Sequence, residues 1–168
     1  MANPISFWVD GCPKAQPRPR AFARKFGDKY QARVYDSGSA EGWKGCIALA
    51  ARAHKPAVPL DVPIRLDVDF YFPRPKCLMR KKDPEGVIRH VQKPDRDNLD
   101  KAVADTLTSI GFWRDDCLIC EGEIRKFFVA KTGTPGARIT VTPLADALAQ
   151  PIQVQTPADL FADRRVSA

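Results

Sequence analysis

Histidine is almost missing from this 168-residue chain: His54 and His90 are the two, isolated in sequence. That argues against zinc, whose sites draw on Cys and His. Cys117-x-x-Cys120 falls in a predicted strand, where i and i+3 point to opposite faces. The five cysteines form an odd, scattered set, which suits reduced thiols better than a disulfide framework. No apolar run approaches the roughly 20 residues of a membrane span. Residues 5–9 are too short for the apolar core of a secretion signal. The expectation is therefore a protein with no membrane partner, in the cytoplasm and near the nucleoid. No internal repeat is visible.

What is present is charge, and it is segregated. Apolar residues at 44% and charged residues at 28% are ordinary globular values, and the length suits one domain with a real core. Lys plus Arg exceed Asp plus Glu by 27 to 20, a net +7. Residues 11–35 carry Lys14, Arg18, Arg20, Arg24, Lys25, Lys29 and Arg33 against Asp28 alone. Residues 73–93 carry Arg74, Lys76, Arg80, Lys81, Lys82, Arg89 and Lys93 against Asp83 and Glu85. Such segments can follow a phosphate backbone, and Phe22, Phe26 and Tyr30 in the first could stack on bases. The plainer account is a surface loop whose aromatics pack on the core.

The pattern predicts a strand over 5–10, a loop over 13–35 and a helix over about 40–54. Ser37 or Ser39 is the expected cap of that helix, with Trp43, Ile47 and Ala50 or Ala51 on its buried side. Ile64, Leu66, Val68, Phe70 and Phe72 alternate with polar residues and predict a half-buried strand. A second basic loop covers 73–92. In the helix after Pro94, Leu99, Val103, Leu107 and Ile110 fall within about 80°, and Asp97, Lys101 and Asp105 lie opposite. Gly111 should end it. A strand over 117–129 and a short one over 138–141 complete a compact α+β domain, with a small mixed sheet on two main helices. Residues 1–142 are expected to form the domain and 143–168 a tail, with a transient helix near 158–164.

The acids gather where the cations do not. Lys93-Pro94-Asp95-Arg96-Asp97-Asn98-Leu99-Asp100-Lys101 is followed by Arg114-Asp115-Asp116. Asp95 and Asp97 stand at a loop-to-helix junction, where two carboxylates can converge on one ion, and Asp116, with Asp115, would return from the next element. Mg²⁺ takes hard oxygen ligands, often one or two carboxylates with water and phosphate. Lys101 could steady charge on a phosphate. The bland account stays open: Asp97 as a helix cap, Lys101 paired with Asp97, and Asp115-Asp116 as a turn.

These residues, with Asp105 and Gly111, resemble the RusA-type Holliday junction resolvases, the crossover junction endodeoxyribonucleases. The resemblance spans about residues 5–141 and includes the basic, proline-rich stretch around residues 14–20. It implies Asp95, Asp97 and Asp116 as catalytic ligands of Mg²⁺ (with Mn²⁺ as a substitute), Asp115 as an auxiliary acid and Lys101 as the catalytic lysine. Lys14, Arg18, Arg20, Arg24, Lys25, Arg80, Lys81, Lys82 and Lys93 are the expected DNA contacts. A four-way junction is nearly two-fold symmetric, so the implied partners are branched DNA and a second copy in an intimate homodimer that makes paired nicks. Two departures stand out. The family's acid pair is commonly followed by x-Gln, here Cys117-Leu118, and the tail after Pro143 has no counterpart. The competing readings are a non-catalytic nucleic-acid-binding module and a nuclease acting on flaps or forks.

Overall fold

A computed structural model describes residues 3–17, 20–26, 29–35 and 38–144, with the backbone alone for 20–26 and 29–35. The chain runs β1 (Ile5–Asp10), β2 (Arg20–Phe26), β3 (Lys29–Tyr35), α1 (Glu41–Arg52), β4 (Ile64–Phe72) and β5 (Ile88–Arg89). It continues as α2 (Arg96–Ser109), β6 (Ile119–Glu121), β7 (Ile124–Phe128) and β8 (Gly136–Pro143), with 3-10 turns at Lys76–Leu78 and Asp116–Leu118.

β4 organises the sheet. Its alternate residues Ile64, Leu66, Val68, Phe70 and Phe72 are buried as the period-2 pattern requires. It pairs antiparallel with β8 and parallel with β7, giving a mixed sheet of order β1-β8-β4-β7-β5, with β6 beside the start of β4. Both helices share one core with the sheet's inner face. Trp43, Ile47 and Ala51 of α1 and Leu99, Val103 and Leu107 of α2 enclose it with Phe7, Val9, Ile139 and Val141. Burial of these apolar side chains is the main stabilising term. The outer face is polar and ion-paired: Arg65 bridges Asp67, Glu121 and Glu123, and Arg125 pairs with Asp69.

Four expectations change. Residues 13–35 are more than a loop, because β2 and β3 form an antiparallel hairpin, Arg20 opposite Tyr35 and Phe26 opposite Lys29. Arg24-Lys25 hides the period in the first run. The signal lay in Gly27-Asp28 between two runs with aromatics, a common hairpin dipeptide. The predicted strand over 117–129 is broken into a 3-10 turn, β6 and β7. Gly122, at φ +155°, makes the break, and a Cβ there would overlap the carbonyl oxygen of Leu66. α1 begins after Ala40, not Ser39, and no side chain caps it. The second basic loop contains a 3-10 turn and β5.

The last strand is also longer than the pattern suggested. β8 spans Gly136–Pro143, and the Leu144 N–H bonds the Pro63 carbonyl at 2.8 Å. Residues 145–168, including the expected helix near 158–164, lie outside the described residues. So do Arg18 and Ser37.

Candidate active site

The motif meets the fold at the start of α2. After a cis Lys93-Pro94 bond, Asp95 takes extended backbone in the cap position. The bland account had Asp97 as the cap; Asp97 lies instead in the first turn. The buried stripe of Leu99, Val103 and Leu107 sets the phase of the helix, and the Leu99 N–H closes its first turn on the Asp95 carbonyl at 3.3 Å. The Asp95 side chain makes no cap bond. An exposed carboxylate that does not cap its own helix remains available to another cationic partner.

Two anchors hold this start in place. Lys126 of β7 donates from Nζ to the carbonyls of Gln92, at 2.8 Å, and Pro94, at 2.7 Å. On the other side, the Gln16 N–H bonds the Asn98 carbonyl at 2.8 Å. The basic N-terminal segment is therefore fastened to the helix that bears the motif.

The outward face of α2 carries Asp97, Lys101 and Asp105, as the helical wheel predicts. Lys101 Nζ lies 3.5 Å from Asp105 Oδ1. Its i, i+4 partner is therefore the acid one turn later, not Asp97 as the bland account had it. The pair is exposed and contributes little to stability, so the ammonium can exchange partners readily.

The second acidic element is delivered by a buried anchor. Gly111, at φ +69°, ends α2 as expected. Phe112 and Trp113 then enter the core at 0% and 1% exposure. The Trp113 indole N–H bonds Thr108, and the Arg114 N–H bonds the Leu60 carbonyl. Asp115 and Asp116 emerge from this anchor at the surface, on a 3-10 turn that packs against α2. Asp115 Oδ1 accepts the Cys117 N–H at 2.9 Å and caps the turn. That bond, helped by the Cys117 thiol, holds its carboxyl below the usual carboxylate range. Asp100 goes the other way, raised by burial against the opposing pull of Arg96.

The expected DNA contacts divide. Lys14, Lys81, Lys82 and Lys93 are exposed. Arg80 is partly engaged, its Nε 3.2 Å from Asp83. Arg20, Arg24 and Lys25 sit on β2, where only the backbone is described, and Arg18 lies outside the described residues. Arg74 is a brace: it bonds the Val129 and Pro84 carbonyls at 2.9 and 2.5 Å, and that of Gly86. Arg89, counted above only as part of the second basic segment, gathers beside the motif with Arg96 and Lys126, which were not among the expected contacts. Arg96 lay inside the motif itself, but nothing local marks Lys126 as its neighbour.

Residues 10–142 match the protein family described as Endodeoxyribonuclease RusA. The chain belongs to the RusA endodeoxyribonuclease family. It is 32% identical over 129 residues to "Uncharacterized protein YqaN" of Bacillus subtilis (strain 168), covering 74% of this chain and 87% of that protein. It is 26% identical over 116 residues to "Crossover junction endodeoxyribonuclease RusA" of Escherichia coli O139:H28 (strain E24377A / ETEC), covering 69% and 82%. The RusA match takes in both acidic segments and ends within β8. Where the resemblance expects a glutamine after the acid pair, Leu118 packs against the core.

A divalent cation can be tested against the donors present. Among the described residues, no three His, Cys, Asp or Glu side chains are gathered as a metal cage. The exposed acids Asp95, Asp97 and Asp116 nevertheless stand on two elements in contact, α2 and the 3-10 turn. Their donors are all hard oxygens, which suit Mg²⁺, and Mg²⁺ needs only one or two carboxylates when water and phosphate complete its shell.

Proposed function

We propose that this chain is a Mg²⁺-dependent, structure-selective endodeoxyribonuclease that resolves four-way DNA junctions by paired nicks, acting as a homodimer. The observation that carries the reading is the Gln16–Asn98 bond, which joins the basic N-terminal segment to the acidic helix start. In a family of endodeoxyribonucleases, a segment that would bind phosphate adjoining acids that would bind a metal supports this reading.

In this reading Asp95, Asp97 and Asp116 would hold the cation, which when bound polarises the phosphate and activates water. The chain's own residues do the rest. Lys14, Lys81, Lys82 and Lys93 bind the arms through phosphates, reading shape more than base sequence. Lys101, one turn beyond Asp97, leaves Asp105 to donate to a phosphate oxygen and steady the charge that develops there. Asp115 keeps the 3-10 turn closed so that Asp116 faces outward. Lys126 fixes the approach to Asp95. Two copies related by two-fold symmetry would present two such sites to the two strands of a junction that must be cut.

The test is cleavage of a labelled synthetic four-way junction beside linear duplex, flap and fork of matching sequence, in Mg²⁺ and in EDTA. Paired, symmetric nicks on the junction that require the metal are the expected result. Equal cutting of flaps or duplex would move the reading to a less selective nuclease. Binding without cutting in any divalent metal would leave a nucleic-acid-binding module whose acids are structural.

A further inference from the structure

The first turn of α2 has little of its own to hold it. Its leading N–H groups have no carbonyl one turn earlier, as at every helix start. Asp95 takes the cap position without a side-chain bond, and the Leu99 N–H meets the Asp95 carbonyl at a long 3.3 Å. Lys126 fixes only what precedes the turn, at the Gln92 and Pro94 carbonyls. The turn itself is held from outside by the Gln16 N–H, 2.8 Å from the Asn98 carbonyl. Asn98 stands between Asp97 and Leu99, so this bond acts on the part of the helix that carries the acids.

The segment that supplies this N–H is itself seated. Pro13 is buried, Ala15 packs against the core, and Gln16 and Pro17 are half-buried. Lys14, among them, is exposed. A residue before proline keeps to extended backbone, and Cys12 and Gln16 are each followed by one. The result is a strap with one side on the core and a cation facing solvent. Gln16 Oε1 is buried and accepts no hydrogen bond among the described residues. The backbone N–H, not the side chain, is therefore the polar hold of Gln16 on α2 among those residues.

Fixing a residue's backbone costs about 1–2 kcal/mol of conformational entropy. Two ligands that both need the same ordered turn share that cost, because the first to bind orders it for the second. Their affinities then rise together, by the same factor in each direction.

We propose that Gln16 is a positioning residue through which DNA phosphate on the basic segment and a cation on Asp95 and Asp97 tighten each other's binding. A phosphate on Lys14 holds the strap against Asn98 and keeps the acid-bearing turn ordered. A cation on that turn holds the Asn98 carbonyl in place for the strap. The identity of the two ligands rests on the nuclease reading above; the shared bond does not.

The experiment uses the full chain and a labelled synthetic four-way junction, with fluorescence anisotropy read in EDTA and in Ca²⁺. Ca²⁺ takes the same hard oxygen ligands as Mg²⁺, and binding is read apart from cutting. In the wild type, Ca²⁺ should tighten junction binding by about tenfold. Gln16→Ala removes the side chain but keeps the N–H, and should keep that gain. Gln16→Pro removes the N–H where the backbone is already extended, and should cut the gain to about twofold or less. Its affinity in EDTA should stay within a few-fold and its circular dichroism unchanged. A merely structural role would shift affinity alike in EDTA and Ca²⁺ and leave their ratio alone.

No gain in the wild type, a gain kept in Gln16→Pro, or one lost equally in Gln16→Ala would overturn the coupling and leave the nuclease reading standing. If Gln16→Pro fails to fold, hydrogen exchange of the wild type decides. The Gln16 amide should be protected more by junction and Ca²⁺ together than by either alone, and no added protection would overturn the proposal. A wild type that bound no branched DNA would instead overturn the nuclease reading, and this inference with it.

Discussion

Lys126 Nζ donates to the Pro94 carbonyl at 2.7 Å and so ties the middle of a sheet strand to the residue before the first motif aspartate. The lysine is 32 positions away in sequence, and its second bond holds Gln92. A charged donor shared by two carbonyls is a strong local constraint. Lys126→Met keeps the aliphatic stem and removes both bonds. Stability should fall by about 1–3 kcal/mol, and cleavage should slow by about ten- to a hundredfold through a displaced Asp95. Junction affinity should change little. Single-turnover rates beside binding isotherms check this; an unchanged rate would show that the anchor does not position the site.

Asp97→Asn should abolish cleavage and leave junction binding intact or tighter, because it removes a metal donor and a negative charge near phosphate. Band-shift titration in EDTA with cleavage assays in Mg²⁺ separates the two effects. Equal loss of both in a folded variant would count against the ligand assignment.

The N-terminal basic segment makes a different prediction. Arg18→Ala combined with Arg20→Ala should weaken binding and reduce the slope of log affinity against log salt by about 2, near one unit per lost phosphate contact. Cleavage of saturated junction should be nearly normal. A slope that does not move would take the segment out of the interface.

Asp100 offers a test of electrostatics without DNA or metal. Burial raises its pKa in the folded state. An acid so raised contributes its stability below the ordinary carboxylate range and loses it as pH rises through the folded value. Asp100→Asn should therefore raise the melting temperature near neutrality, and the gain should vanish in acid. Thermal melts in EDTA across pH read this directly, and a gain independent of pH would assign the effect to packing.

Gly122→Ala places a Cβ on the Leu66 carbonyl at a φ that L-residues avoid. It should cost about 1–3 kcal/mol or more and reset the register of β6 and β7 on β4. Chemical denaturation measures the first effect. A neutral substitution would mean that the break between β6 and β7 is not required.

Much of this protein was legible in the order of its residues. The period of 2 in Ile64–Phe72 and the stripe of Leu99, Val103 and Leu107 follow from how side chains project from strand and helix, and both appear in the fold as read. The dense acidic motif, and the family it resembles, are likewise local matters of residue type and spacing. Local rules also misled at particular places. Charge hid the β2–β3 hairpin, and a continuous apolar run concealed the break at Gly122, whose cause is the backbone of β4.

Tertiary structure alone decided what stands beside the motif. Lys126 reaches Pro94 because β7 pairs with β4 and passes the start of α2. Gln16 reaches Asn98 because the chain leaving β1 folds back over that helix. His90 is buried because two phenylalanines from separate strands close on its ring. Propensity and periodicity act over a few residues, whereas these contacts exist only once the core has closed and brought distant segments together.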